Sequence, residues 1–293
     1  MSKPYKLRLI TLIVLLLIAI FCFTASLNED RKGILTVAFL DVGQGDSIFI
    51  ESPSGNQMLI DGGPGKAVLR ELSKVMPFYD RSIDVVLATH ADQDHIGGLL
   101  DVLNKYKTDI FIESGVPSES STYRELEKII EKQEKNLKKI LARRGMVIDL
   151  GGGTILEILF PDRDPTGMET NSASVVTKLV YGENEFLLTG DSPSSIENYL
   201  VSVESQGVTL GLESDVLKAG HHGSKTSSSE SFVAAVSPEY VVISAGKDNR
   251  YNHPNQEVLD ILNNFGADIL RTDEQGRIIF KSDGLNLSQE TAK

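Results

Sequence analysis

At residues 89–98 the sequence reads Thr89-His90-Ala91-Asp92-Gln93-Asp94-His95-Ile96-Gly97-Gly98. Two imidazoles and two carboxylates fall within six of these residues. The apolar run that leads into them, residues 83–89, predicts a buried strand, and residues 99–103 predict a helix start. A turn at a strand end gathers side chains in a small volume, and imidazole and carboxylate are ligands shared by Zn²⁺, Mn²⁺ and iron. The stretch therefore predicts a metal site rather than a polar loop that only caps a helix.

The chain has only five histidines, and all of them lie in loops that follow predicted strands. They are His90, His95, His221, His222 and His253. None lies on a predicted helix face or in an apolar run, where a histidine that serves only the core would be found. A metal centre would gather this distribution into one place.

Two aspartates stand at similar positions elsewhere in the sequence. Asp191 ends the stretch Thr189-Gly190-Asp191 after a predicted strand, so its side chain should point out over a sheet edge. Asp61 follows a predicted hairpin and is either a turn residue or a carboxylate that orients a metal ligand. Beside the stretch at residues 89–98, we favour the second role for Asp61.

Composition limits the functions that the chain can have. It contains 293 residues, of which 41% are hydrophobic, so it can bury a sizeable core. Its formal net charge of −12 argues against broad, non-specific nucleic-acid binding but is compatible with a local basic groove. The one cysteine, Cys22, lies in an N-terminal apolar run, so the remaining chain has neither disulfides nor a thiolate nucleophile.

The N-terminal segment resembles a membrane anchor. Residues 9–27 carry no charge, which suits a membrane-spanning helix of ~20 residues. Lys3, Lys6 and Arg8 precede them and should stay in the cytoplasm. This pattern predicts a single-pass protein of the cell membrane whose catalytic domain lies outside; a cleaved signal peptide and a secreted protein are the alternative.

The rest of the chain alternates strands with helices, which indicates an α/β protein. Residues 118–144 place apolar side chains at helical spacing among many Lys and Glu, so they predict one long surface helix, or two. The predicted organisation is an anchor or signal segment at residues 1–28, a linker at 29–33, a globular domain at 34–282 and a flexible tail at 283–293.

These residues carry a clear family resemblance. The run from His90 to His95 resembles the His-x-His/Asp-x-Asp-His signature of the metallo-β-lactamase fold, and Asp61 and Asp191 stand where that superfamily has an early and a bridging aspartate. Further motifs are similar to those of the extracellular metallo-hydrolase domain of ComEC competence proteins. They are Phe39-Leu40-Asp41-Val42-Gly43-Gln44-Gly45-Asp46, Asp61-Gly62-Gly63, Leu188-Thr189-Gly190-Asp191, Leu217-Lys218-Ala219-Gly220-His221-His222-Gly223-Ser224 and Asn249-Arg250-Tyr251-Asn252-His253-Pro254. The resemblance implies a four-layer αββα sandwich over residues 34–282.

The resemblance also implies two divalent metal ions, Mn²⁺ or Zn²⁺, bridged by Asp191. The first ion would be held by His90, Asp92 and Asp191, with Asn171 or water. The second would be held by Asp94, His95, Asp191 and His221, for which His222 is the alternative. The first set is rich in oxygen, which shifts its preference toward Mn²⁺.

The expected activity is that of an exported, metal-dependent phosphodiesterase, in particular a nuclease that cleaves DNA with a metal-activated hydroxide. Asp94 and Asp191 would be catalytic, and His253 would either donate a proton to the leaving oxygen or hold its loop. The residues expected to contact the substrate are Asn171, Ser224, Lys225 and Arg250, with Lys218 and Lys247 adding to a phosphate clamp.

Two other functions fit the same residues. The chain could hydrolyse a small ester, lactone, thioester or phosphocholine-type substrate on the same fold. It could also be a non-catalytic metal domain that binds DNA or a partner protein. Besides the membrane and a phosphodiester substrate, no protein partner can be inferred from the sequence.

Overall fold

The computed structural model describes residue 6 and residues 8–19, 33–204 and 211–292. Within these ranges the strands are β1 (Leu35–Phe39), β2 (Ile48–Glu51), β3 (Gln57–Ile60), β4 (Val85–Ala88), β5 (Ile110–Glu113), β6 (Lys138–Leu141), β7 (Val147–Gly151), β8 (Thr154–Phe160), β9 (Val176–Tyr181), β10 (Asn184–Leu188), β11 (Val216–Lys218), β12 (Tyr240–Ile243), β13 (Asp268–Arg271), β14 (Ile278–Ser282) and β15 (Leu287–Thr291). The helices are α1 (residues 8–19), α2 (Ala67–Val75), α3 (Gln93–Ile96), α4 (Leu99–Lys105), α5 (Ser121–Gln133), α6 (Ser194–Glu204), α7 (Glu230–Val236), α8 (Gln256–Asn264) and α9 (Thr272–Gln275). Short 3₁₀ helices cover Asn171–Ala173 and Gly220–Gly223.

The strands form two mixed sheets. The first has the order β15-β14-β1-β2-β3-β4-β5-β6, and the second has the order β13-β12-β11-β10-β9-β8-β7. In the first sheet the pairs from β3 to β6 are parallel, and in the second the pairs from β10 to β13 are parallel. Each sheet therefore has one half in which the carboxyl ends of neighbouring strands lie at the same edge.

The inner faces of the two sheets pack against each other. The side chain of Phe280 on β14 lies edge-to-face against Phe39 of the same sheet and against Phe186 of the opposite sheet, with ring centroids 6.1 and 5.8 Å apart. Side chains alternate along a strand, so Phe39 enters this central layer while Ala38 and Leu40 face the helices.

Helices cover the outer face of each sheet. Helices α2, α4 and α5 pack on the first sheet and α6, α7 and α8 on the second, through buried side chains that include Leu72, Leu99, Leu126, Leu200, Phe232 and Leu262. The two sheets and their helices form the predicted α/β sandwich, which has the layers helix, sheet, sheet, helix.

The predicted membrane location is contradicted by the structure. Near the N terminus, residue 6 and residues 8–19 are helical among the described residues. In the described ranges no helix combines the length and the apolar character that crossing a membrane requires. The single-pass prediction is therefore wrong as stated; the rest of the segment on which it drew, residues 20–28, lies outside the described residues.

Two other segments differ from their predictions. Residues 118–144 do not form a continuous helix, because α5 ends at Gln133 and Lys138–Leu141 become β6, whose backbone pairs in parallel with β5. The tail predicted to be flexible instead contains β15, which pairs antiparallel with β14 along its whole length. In both cases a neighbouring strand offers backbone hydrogen bonds, which the local side-chain pattern does not reveal.

The turn between β1 and β2 depends on a glycine. Gly45 has φ +137°, and a Cβ atom at this residue would lie 2.1 Å from the carbonyl oxygen of Asp94. No other residue type fits this close approach. The turn is thereby held against the loop that carries the histidine–aspartate stretch, which positions the next residue, Asp46, beside it.

Candidate metal centre

The candidate site lies at one edge of the sandwich, where parallel strands of both sheets end. In the first sheet β3 ends before Asp61 and β4 before the stretch at residues 89–98. In the second sheet β10 ends before residues 189–191 and β11 before residues 219–222. Because β3 pairs with β4 and β10 with β11 in parallel, polar residues from four separate segments meet at this edge.

Asp61 organises the part of the site that belongs to the first sheet. Its side-chain oxygens accept hydrogen bonds from the backbone N–H of Thr89 at 2.8 Å and from the Thr89 hydroxyl at 2.7 Å. The Nδ1 atom of His95 lies 2.8 Å from Asp61 Oδ2, and the Nδ1 atom of His90 lies 3.0 Å from Thr89 Oγ1. Because the Thr89 hydroxyl donates to Asp61, it accepts from His90.

His222 is oriented in the same way in the second sheet. Its Nδ1 atom lies 2.9 Å from the backbone carbonyl oxygen of Ser244, so Nδ1 is the donor. His90, His95 and His222 therefore all donate through Nδ1–H. In the neutral ring this tautomer leaves the lone pair on Nε2, which is the atom that can bind a metal.

The three Nε2 atoms converge on Asp191. Asp191 Oδ2 lies 4.0 Å from His90 Nε2, 3.3 Å from His95 Nε2 and 3.4 Å from His222 Nε2. Asp94 enters from the mouth of the site, with its Oδ2 3.5 Å from His222 Nε2. The described residues form four groups of mutually close ligand atoms, and two of them hold these side chains: His90 with His95 and Asp191, and Asp94 with His95 and His222.

The donor set fits a divalent metal. The Nε2 atoms of His90, His95 and His222 and the Oδ1 atom of Asp191 are buried and have no hydrogen-bond partner. Buried polar atoms without partners are costly, so their convergence needs a physical cause. Deprotonated Nε2 atoms and the Asp191 oxygen would be ligands to a cation placed among them, and nitrogen with carboxylate oxygen suits Zn²⁺ and Mn²⁺.

A buried ion pair stands next to this cluster. Lys218 Nζ lies 2.6 Å from Asp46 Oδ2, and both side chains are almost completely buried. Asp46 Oδ1 is 3.3 Å from His222 Nδ1. Lys218 therefore contributes to the interior of the site, which rules out the phosphate-clamp role that the sequence suggested for it.

The charges of the cluster shift its protonation equilibria. Burial raises the pKa of Asp46, but Lys218 and His222 outweigh it and lower that pKa to about 2. Burial likewise opposes ionisation of Asp191, yet His222 and His95 hold its pKa well below the usual value. Burial, assisted by His95, lowers the pKa of His90 to about 3. Asp46 and Asp191 are therefore ionised and His90 is neutral at pH 7. Burial opposes protonation of His222 and His95, but Asp191 and its neighbouring carboxylates outweigh it, raising the pKa of His222 to about 9 and that of His95 well above its usual value. Metal binding to these two rings must therefore displace their protons, which makes the affinity depend on pH.

The structure favours His222 over His221, the ligand that the sequence analysis preferred. The side chain of His221 is 29% exposed, with its Nε2 3.7 Å from Asp191 Oδ2 and its Nδ1 3.2 Å from the Thr226 hydroxyl. Among the described residues, two of the groups of mutually close ligand atoms include His222 and none includes His221. Both histidines have positive φ, but the side chain of His221 is partly exposed while that of His222 is buried.

Asp92 and Asn171 lie at the margin of the cluster. Asp92 Oδ2 is 3.8 Å from His90 Nε2, and 41% of its side chain is exposed, so it can approach an ion only from the solvent side. Asn171 begins the 3₁₀ helix Asn171–Ala173, where its amide oxygen is 3.5 Å from the Thr170 hydroxyl. Their assignments to a first metal stay predictions.

Other predicted residues form the rim. The His253 ring lies 5.7 Å from that of His221 and stacks on Tyr251 with centroids 5.7 Å apart. The guanidinium carbon of Arg250 lies 4.8 Å from the centroid of the Tyr251 ring. Lys225 is exposed. Ser224 is buried, and its hydroxyl is 3.0 Å from that of Thr226, which makes it a support of the loop around His221.

Sequence reasoning missed several residues of this site. The sequence analysis includes Asp46 only as the last residue of a family motif and gives no role to Thr89 or the Ser244 carbonyl, although all three contact the cluster. The one signal available was the position of Asp46 directly after a Gly-Gln-Gly turn and before a buried strand. Nothing local to Ser244 indicates that its carbonyl fixes the tautomer of His222.

A two-sheet sandwich with outer helices and a histidine–aspartate cluster at its strand ends defines a metallo-hydrolase architecture. Residues 40–247, more than half of the chain, match the Metallo-beta-lactamase superfamily, and the chain belongs to that superfamily. The family resemblance inferred from the motifs is thereby confirmed.

Two curated proteins are similar in sequence to most of this chain, and one solved structure has a similar fold. ComE operon protein 3 of Bacillus subtilis (strain 168) is 34% identical over 84% of this chain. Recombination protein 2 of Haemophilus influenzae is 30% identical over 94% of this chain. In each case the chain spans 33% of the relative's length. The solved structure of a CmlA beta-hydroxylase mutant has a TM-score of 0.53 at 16% identity, covers 84% of this chain and 53% of that one, and shows the shared fold.

Proposed function

We propose that this protein is a metal-dependent phosphodiesterase whose substrate is a nucleic acid. The observation that carries the proposal is the convergence of three buried Nε2 atoms, from His90, His95 and His222, on Asp191 without hydrogen-bond partners of their own. Such a donor set has no role in packing and suits a divalent cation.

Two ligand sets share this space. His90 and Asp191 would hold one ion, with Asp92 at its solvent side, and Asp94, His95 and His222 would hold the other. When bound, a pair of divalent ions polarises a phosphoryl oxygen and lowers the pKa of a bound water. We propose Zn²⁺ or Mn²⁺ as the physiological ions, since both accept imidazole and carboxylate together.

The residues of the chain orient this centre and the substrate. Asp61 and Thr89 hold His95 and His90 through their Nδ1 atoms, so that both Nε2 atoms face Asp191. Burial and the neighbouring histidines lower the pKa of His253, which is therefore neutral at pH 7 and can accept a proton at the rim before it passes one to a leaving oxygen.

The rim supports a polyanionic, base-bearing substrate. Lys225 and Arg250 are exposed there on an otherwise acidic chain, and cations of this kind attract phosphates. The Tyr251 ring is 47% exposed, and aromatic rings at such positions stack on nucleobases. One relative is named Recombination protein 2, which also supports DNA as the substrate class.

A direct test uses the full chain stripped of metal with a chelator. Addition of Mn²⁺ or Zn²⁺ should restore cleavage of bis(p-nitrophenyl) phosphate and of end-labelled single- and double-stranded oligonucleotides. Asp94→Asn should abolish cleavage, whereas Asp101→Asn, which removes a carboxylate from the adjacent helix α4, should not.

Three outcomes would contradict the proposal. Hydrolysis of an ester, lactone or thioester without cleavage of any phosphodiester would assign the site to a different substrate class. DNA binding that chelators leave unchanged, without cleavage, would indicate a non-catalytic domain. Failure of the folded protein to bind either metal would remove the basis of the proposal.

A further inference from the structure

Lys218 is a fully buried cation with two polar contacts. It is the last residue of β11, and its side chain is 0% exposed. Its ammonium group lies 2.6 Å from Asp46 Oδ2 and donates a hydrogen bond to the carbonyl oxygen of Gly190 at 3.2 Å. Gly190 directly precedes Asp191, so Lys218 holds the loop that presents the central carboxylate of the cluster.

Asp46 extends these contacts to two other segments. Its Oδ1 atom lies 3.3 Å from His222 Nδ1, and its backbone N–H donates to the carbonyl oxygen of Asp94 at 3.3 Å. The residue belongs to the first sheet's β1–β2 loop, whereas Lys218, Gly190 and His222 belong to the second sheet. One ion pair therefore contacts the loops of Asp94, Asp191 and His222 and joins the two halves of the site.

Stability alone is a weak explanation for such a pair. Removing two charges from water costs about as much as their attraction returns, and apolar residues of similar volume often serve equally well. Asp46 also has a negative charge that could bind a metal, since it falls within reach of Asp191 and His222. The ammonium group of Lys218 occupies the approach to one of its oxygens and neutralises it.

We propose that the Asp46–Lys218 pair is a positioning device for the metal centre. Lys218 fixes the Asp191 loop through its hydrogen bond to Gly190, and Asp46 attracts the Nδ1–H group of His222. The pair thereby sets the separation between the ligand atoms of the two sheets. The affinity for metal, rather than the stability of the fold, should depend on it. This inference rests on the metal-binding part of the proposed function and is independent of the substrate.

The chain offers a matched control for the lysine. Lys178 on β9 is 1% exposed and pairs with Glu185 at 2.7 Å. Its ammonium group donates to the carbonyl oxygens of Gly211 and Glu213. None of these residues belongs to the cluster, so loss of Lys178 removes a buried lysine, whose paired carboxylate is 31% exposed, without altering a ligand loop.

The test compares Lys218→Met, Asp46→Asn, the Asp46→Asn/Lys218→Met double variant and Lys178→Met in the full chain. Zn²⁺ and Mn²⁺ affinities are measured by competition with a chelator, and the visible absorption of Co²⁺-loaded protein reports ligand geometry. Both single variants at the pair should bind Zn²⁺ 10–100-fold more weakly, as expected for loss of an orienting contact, and show a changed Co²⁺ spectrum. Lys178→Met should match the wild type in both measurements.

The double variant separates positioning from stability. It leaves no unpaired buried charge, so its unfolding midpoint should recover relative to the single variants, while its metal affinity should stay low. Native affinity in Lys218→Met or in the double variant, or an equal loss in Lys178→Met, would overturn the inference. A wild-type protein that binds no metal would instead refute the proposed function itself.

Discussion

The choice between the adjacent histidines gives the sharpest prediction. We expect His222→Ala to remove most of the stabilisation of the protein by metal and His221→Ala to leave most of it. The reason is geometric: His222 Nε2 lies 3.4 Å from Asp191 Oδ2 and 3.5 Å from Asp94 Oδ2 and is buried, whereas His221 points to the rim.

The size of the effect follows from linkage. At a free metal concentration 100 times the wild-type Kd, binding stabilises the folded state by about 2.7 kcal/mol. If loss of His222 weakens binding ~100-fold, the gain falls to about 0.4 kcal/mol. The difference of about 2.3 kcal/mol corresponds to roughly 5–9 °C in Tm for a domain of this size.

The assay is thermal unfolding of each protein with chelator and with excess Zn²⁺ or Mn²⁺. The quantity compared is the metal-dependent shift within one variant, so the cost of the cavity left by each alanine cancels. A full shift in His222→Ala together with a lost shift in His221→Ala would refute the assignment and the reasoning from burial behind it.

Three further predictions concern separate parts of the molecule. Asp61→Asn should weaken Zn²⁺ binding 10–100-fold in chelator competition, because the residue orients His95 through the contact at 2.8 Å. The chain has no tryptophan, so the Tyr251→Trp variant has a single fluorescent indole at the rim. Its fluorescence should fall when a single-stranded oligonucleotide is added but not when an abasic one is added. The control is Phe78→Trp, at a residue that is 83% exposed on the loop after α2, and its fluorescence should respond to neither oligonucleotide. Glu71→Gln should cost about 2 kcal/mol in urea unfolding at pH 7, because it leaves Arg277, 3.1 Å away, unpaired. Burial opposes ionisation of Glu71, but Lys74, Arg70 and Arg277 outweigh it and lower the pKa of Glu71. The stabilisation is therefore present above the ordinary pKa of 4.5 and is lost as the pH falls through the lowered pKa. Equal stability of the variant and the wild type at pH 7 would contradict this prediction.

Short-range patterns in the sequence were sufficient to predict the class of fold and much of the site. The stretch at residues 89–98 and the position of Asp191 after a strand placed His90, His95 and Asp191 at the ends of predicted strands, and the structure brings these residues together. These inferences succeed because strand ends and their turns are determined by neighbouring residues.

Other inferences failed where a distant segment decides the outcome. Local charge and spacing favoured a helix beyond Gln133 and a flexible tail after residue 282, but β5 and β14 supply strand partners for both. A nineteen-residue uncharged run also suggested a membrane span, and no helix among the described residues is long and apolar enough to form one.

Motifs in the sequence were enough to identify the superfamily, to imply its two-sheet sandwich and to name the types of side chain that meet at one edge of it. The folded chain was needed to show that His222 rather than His221 turns inward and that Lys218 is an internal cation paired with Asp46. Adjacent residues in a loop have nearly the same local sequence. Which of them is buried depends on backbone torsions and on partners such as the Ser244 carbonyl, which folding brings from other strands.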